Sequence, residues 1–67
     1  MRGMKVRDLV DRLLADGWTL VRIRGSHRQF RHPVKRGTVT VAGKSSEDVP
    51  IGTLLHALKQ AGLQRRE

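Results

Sequence analysis

Residues 18–33 read WTLVRIRGSHRQFRHP, and this stretch decides the fold. Two short runs rich in β-branched and aromatic side chains flank Gly25-Ser26, a pair suited to a tight turn. Trp18–Arg24 and His27–His32 are therefore expected as adjacent antiparallel strands. Side chains alternate across a strand, so Thr19, Val21 and Ile23 share one face of the first, and Trp18, Leu20, Arg22 and Arg24 the other. In the second, His27, Gln29 and Arg31 face one way and Arg28, Phe30 and His32 the other. Pro33 disfavours helix at His32, so the strand ends there. Pro33 to Gly37 then make a basic turn, and Thr38 to Val41 a third strand with Val39 and Val41 on one face.

On either side of this block the apolar period changes from two to that of a helix. Residues 4–15 carry Val6, Leu9, Val10, Leu13 and Leu14 on one helical face, with Lys5, Arg7, Asp8, Asp11 and Arg12 on the wet side. Asp16-Gly17 supplies a stop, since glycine suits the left-handed position that ends helices. Residues 41–49 form a polar connection with Gly43 and two serines. A second helix follows over 50–61, with Ile51, Leu54, Leu55, Leu58 and Ala61 as its apolar face, Gly62 as C-cap and Leu63 closing the contact behind it.

The expected architecture is α+β: helix, three-stranded antiparallel meander, helix, with both helices on one face of the sheet. Residues 1–67 make one domain. The core takes Phe30, Val39, Val41 and the helices' leucines, with either Trp18 or Val21, which alternation puts on opposite faces. If Phe30 points inward, His27 points out.

Charge narrows the function. The net charge is +8. Between Arg22 and Lys44 lie Arg22, Arg24, Arg28, Arg31, Lys35, Arg36 and Lys44 without a single acid, while Asp8, Asp11, Asp16, Glu47, Asp48 and Glu67 all fall outside. A one-signed field over a third of so small a protein attracts a polyanion. With only Trp18 and Phe30 as aromatics, and the core claiming at least one, bases cannot be stacked in succession on exposed rings. Grip must come from cations on phosphates, a mode that positions a backbone without reading much sequence. The absence of cysteine excludes disulfides and cysteine-rich zinc sites. No apolar run can cross a membrane, and with no secretory leader visible the cytoplasm is the expected compartment.

Of three histidines, His27 has the best setting for chemistry, one residue past a flexible turn amid the densest cations. An imidazole there can take a proton from a ribose 2′-hydroxyl or give one to a leaving 5′-oxygen, while Arg24, Arg28 or Arg31 stabilises the charge developing on the phosphate. A surface or hairpin histidine in a basic strand is the bland alternative. His32 reads as a strand end and His56 as an exposed helix residue. The three lack any metal-ligand spacing, so neither metal nor cofactor is expected. Ser26 is not in a nucleophile elbow, and Gly43-Lys44-Ser45 lacks the first glycine of a phosphate-binding loop. Gly52, in the first turn of the last helix, costs about 1 kcal/mol relative to alanine. Close packing on the sheet explains it first, a phosphate at the helix N-terminus second.

Taken in order, Gly17-Trp18, Arg22, Gly25-Ser26-His27, Gln29-Phe30, His32-Pro33, Val39-Thr40-Val41, Gly52-Thr53-Leu54 and Leu58-Lys59-Gln60-Ala61-Gly62-Leu63 resemble the HicA (YcfA-like) toxin family. The resemblance covers about Met4 to Leu63. It implies a double-stranded-RNA-binding-domain-like fold and the activity of a ribosome-independent mRNA interferase, with His27 as the catalytic histidine and a HicB-type antitoxin covering the active surface. Arg22, Arg24, Ser26, Arg28, Arg31, Lys35, Arg36 and Lys44 are the expected RNA contacts. The chain departs from the family in one place: many members carry Pro and His after the third strand, where this one has Ala42-Gly43-Lys44-Ser45. A one-histidine mechanism follows, with the partner acid left open. The rival is an RNA-binding module of the same fold that does no chemistry.

Overall fold

Both terminal segments carry apolar residues at helical spacing, and both become helices. In the computed structural model, which describes residues 3–63, the chain runs β1 (Met4–Lys5), α1 (Val6–Ala15), β2 (Thr19–Arg24), β3 (His27–Arg31), β4 (Thr38–Ala42), β5 (Asp48–Val49) and α2 (Ile51–Gln60). The ends of the expected 1–67 domain lie outside the described residues. Strands β2, β3 and β4 form an antiparallel meander with β3 in the middle. The order matches the α+β, double-stranded-RNA-binding-domain-like topology read above. Sequence patterning missed a second, two-stranded pairing of Met4 with Val49 and Lys5 with Asp48, because two-residue strands carry no period.

One face of the meander is covered. Phe30 of β3 and Val39 and Val41 of β4 are buried with Val6, Leu9 and Leu13 of α1, Leu54, Ala57 and Leu58 of α2, and Trp18, Val49 and Ala61. The ambiguity at the first strand is resolved by a β-bulge. Leu20 pairs with Phe30, but Arg22 pairs with Gln29, so Val21 is an extra residue on β2. Strict alternation had put Leu20 with Arg22 and Arg24; the bulge moves Leu20 to the helix side and leaves both arginines on the other. Trp18 is buried and Val21 is exposed. On α2, Ile51 and Leu55 are exposed rather than buried, and Ala57 takes their place in the core, so the helix is rotated from the face expected.

Each helix closes in the same way. Trp18 N–H donates to the Leu13 carbonyl (3.0 Å) and Gly17 N–H to that of Leu14 (3.1 Å); Leu63 N–H donates to Leu58 (2.8 Å) and Gly62 N–H to Lys59 (3.1 Å). These are paired C-terminal bonds that require a left-handed residue after the cap, and Gly17 (φ 102°) and Gly62 (φ 72°) supply it. A Cβ on Gly17 would also stand 2.9 Å from His32 Nε2. Gly17→Ala should therefore lose at least the ~1–2 kcal/mol of a left-handed L-residue, read as a lowered urea midpoint. Gly52 is the opposite case. A Cβ there meets nothing within 4 Å, so close packing does not explain it, and Gly52→Ala should gain roughly 0.5–1 kcal/mol. A loss at Gly52 equal to that at Gly17 would contradict both assignments.

Candidate functional site

The two central residues Gly25 and Ser26 close the β2–β3 hairpin. Gly25 has φ 59° and Ser26 has negative φ, which is the type II′ pattern with glycine first. His27 begins β3 directly after this turn, across from Arg24 on one side and Ala42 on the other. Residues paired across strands point to the same face. Register therefore defines three parallel rows on the uncovered side: Arg24, His27 and Ala42; Arg22, Gln29 and Thr40; Thr19, Arg31 and Thr38.

His27 and Arg31 are exposed on this face, and Arg22 and Arg24 are exposed beside them. None of the six acids lies in β2, β3 or β4, so the cationic field over the rows is not neutralised locally. Both aromatic side chains are in the core at 1 % exposure, which leaves phosphate contacts and hydrogen bonds as the means of holding a strand here. Gln29 and Thr40 were not among the expected contacts. The signal was present, because the alternation that buries Phe30 and Val39 also turns Gln29 and Thr40 outward.

The expected cations divide. Arg22, Arg24 and Arg31 share the open face with His27. Arg28 does not: it pairs with Ile23 and Val41 on the helix side and its guanidinium donates to Ser45 Oγ (3.4 Å). Ser26 and Lys44 are exposed at the rim of the His27 end, where the Gly43 N–H donates to the Ser26 carbonyl (3.2 Å). Arg36 is exposed in the connection at the opposite end of the sheet.

Lys35 is committed elsewhere. Its ammonium donates to Asp16 Oδ2 (2.5 Å) and to the Ala61 carbonyl (3.0 Å), joining the C-termini of both helices. Trp18 Nε1 donates to the same carboxylate (3.2 Å). His32 belongs to this knot as well. The backbone N–H groups of Val34 and Lys35 donate to its Nδ1 (3.0 Å each), and its Nε2 lies 2.8 Å from the Asp16 carbonyl. Two donors at Nδ1 and an acceptor at Nε2 select the tautomer with the proton on Nε2. The ring also meets Trp18 edge-on at 5.3 Å between centroids. His32 thus ties a turn to a helix end, and His56 is exposed on α2, so the three histidines lie apart. Among the described residues no three His, Cys, Asp or Glu side chains gather to hold a metal.

The Lys35 hydrogen bond holds the Asp16 carboxyl below its ordinary 3.8, against partial burial, with the lysine's charge and the Trp18 bond assisting. A carboxylate depressed in the folded state stabilises the fold above its unfolded value of about 3.9 and loses that contribution as pH falls through the folded value. Between about pH 5 and about pH 2 the urea midpoint of the parent should therefore fall further than that of Asp16→Asn. Parallel curves would show that the pair adds nothing to stability.

All of the helix-side knot lies at one end of the sheet, and both helices start at the other. Val6 N–H donates to the Glu47 carbonyl and Arg7 N–H to that of Ser45, which sets the α1 N-terminus beside the loop that follows β4. The positive ends of two helix dipoles are thereby at the His27 end. No helix among the described residues is long and apolar enough to cross a membrane. The sequence profile of one family, HicA toxin of bacterial toxin-antitoxin, matches residues 6–63. No curated protein matches the chain.

Proposed function

Because the chain belongs to the HicA toxin family of bacterial toxin–antitoxin systems, we propose that it is an endoribonuclease toxin that cuts mRNA without a metal ion, with His27 as general acid and base. The observation that carries this is the register: it puts His27 on an open, acid-free face with Arg22, Arg24 and Arg31 and away from the apolar core.

An RNA strand laid across the rows has its phosphates drawn to Arg31 and Arg22, with the scissile group between Arg24 and His27. His27 removes the proton of the 2′-hydroxyl, and the 2′-oxygen attacks the adjacent phosphorus. The bond to the 5′-oxygen breaks, leaving a 2′,3′-cyclic phosphate on one fragment. The 5′-oxygen leaves as a hydroxyl, its proton returned from the imidazolium or supplied by water. Arg24 stabilises the negative charge that builds on the phosphate, the kind of contact whose loss costs about 10²–10³ in rate. Nothing on the face stacks a base, so positioning rests on phosphate contacts. The cytoplasm, where mRNA is met, is the site of action, and a HicB-type antitoxin holds the activity in check.

Chelator-tolerant cleavage tests this. RNA incubated with the chain in excess chelator should yield fragments ending in a cyclic phosphate. RNA that stays intact under those conditions while remaining bound would leave only the binding-module alternative.

A further inference from the structure

The strand β2 is at odds with the rest of this small domain. It is an edge of the sheet, and all six of its residues are exposed. Three of them are large and apolar: Leu20, Val21 and Ile23 are 43 %, 52 % and 61 % exposed. The helix layer covers Phe30, Val39 and Val41 but stops short of Leu20 and Ile23, their neighbours on the same face. The other edge, β4, is better protected. Val39 and Val41 are buried there, and Gln60 Nε2 donates to the Thr38 carbonyl (2.9 Å). A long edge with unpaired backbone groups and apolar side chains is a template for another strand.

We propose that β2 is the docking edge for a strand of the antitoxin, added antiparallel or parallel to β2, whose side chains alternate apolar and acidic. The inference rests on the toxin assignment. Its chemistry follows from the two faces of β2. On the helix side an added strand lies beside Leu20 and Ile23 and extends the apolar layer. On the open side it lies beside Arg22 and Arg24, where only carboxylates are complementary. A second copy of this chain is the poorer occupant, since β2 beside β2 gathers four arginines on one open face with no carboxylate among them, and like charges brought together across strands destabilise a sheet. The bulge at Val21 and the two arginines are devices that guard an edge against indiscriminate pairing. Here they set the partner's sign without closing the edge.

One functional consequence is direct. A carboxylate opposite Arg24 sits in the row of His27, so the docked strand withdraws Arg22 and Arg24 from RNA and covers the imidazole's flank. Inhibition then needs no distortion of the toxin.

Hydrogen–deuterium exchange of the full chain, alone and in complex with the antitoxin of its pair, tests the proposal. The β2 amides that do not bond to β3 should exchange at least tenfold more slowly in the complex. Leu20→Ser combined with Ile23→Ser, which the register puts on the helix side and off the RNA face, should weaken the complex at least tenfold and leave RNA cleavage by the free chain unchanged. Unaltered β2 exchange in a complex that protects other segments would overturn the proposal. So would β2 protection in the chain alone that grows with concentration alongside a dimer mass, which would make a second copy the occupant. The cleavage measurement is made on the free chain, so a failure of the nuclease assignment shows there and leaves the exchange result to judge the edge.

Discussion

His27→Ala is expected to reduce RNA cleavage by about 10²–10⁴-fold, the usual contribution of a positioned general acid–base group, with no measurable change in the urea midpoint. The second half of the expectation is what makes the first informative. His27 is exposed at the start of β3, on the face opposite Phe30, and its truncation opens no cavity and orphans no buried polar atom. Surface substitutions of that kind usually stay within about 0.5 kcal/mol. His32→Ala should behave in the reverse manner. That ring accepts two backbone N–H groups and faces the Asp16 carbonyl, so its loss strands three backbone partners and lowers stability first and activity only through it. A single assay on the two variants, with denaturation measured beside it, separates chemistry from architecture. If His27→Ala cuts as fast as the parent, the imidazole is a surface residue and the chain is left with binding alone.

The contrast between these histidines also shows how far the sequence could be read. The order of elements, the turn at Gly25-Ser26 and the outward direction of His27 all follow from local periodicity and turn chemistry, and they needed no knowledge of packing. What could not be read depends on long-range partners. His32 looks like a strand end because its three partners come from residues 16, 34 and 35, brought together only by the closed fold. Lys35 counts as one more cation in a basic run until Asp16 and Ala61 arrive beside it. Arg28 alternates with His27, so its position on the helix side was legible; its inclusion among RNA contacts came from its charge, which carries no direction. The bulge at Val21 is the subtlest case. Under strict alternation TLVRIR puts Thr19, Val21 and Ile23 on one face and Leu20 with Arg22 and Arg24 on the other, and one extra residue at Val21 sorts Leu20 away from the arginines and onto the side of Ile23. The exposed Ile51 and Leu55 reflect a rotation of α2 that favours Ala57 against the sheet, a choice made by close packing rather than by hydrophobicity.

That sorting yields the second large expectation. Arg22→Gln, Arg24→Gln and Arg31→Gln together should weaken RNA binding by about 10²–10³-fold at low salt, taking roughly 1–1.5 kcal/mol for each charge-assisted contact at an exposed site. The salt dependence is the sharper readout. Each phosphate contact on a single strand contributes about 0.7 to the slope of log affinity against log salt, so the triple variant should lose about 2 units of slope. Arg28→Gln removes the same formal charge from the same hairpin, yet its guanidinium is on the helix side at Ser45, and the slope should change little. Lys35→Gln should lower stability, because it unties the two helix ends from Asp16 and Ala61. Its effect on the slope should be small. A net-charge effect alone would treat all five positions alike, since each substitution removes one positive charge from a chain of +8. A face-specific interface separates them. A triple variant with the parent's slope, beside an Arg28→Gln protein whose slope has collapsed, would move the RNA to the helix side and take His27 out of its reach.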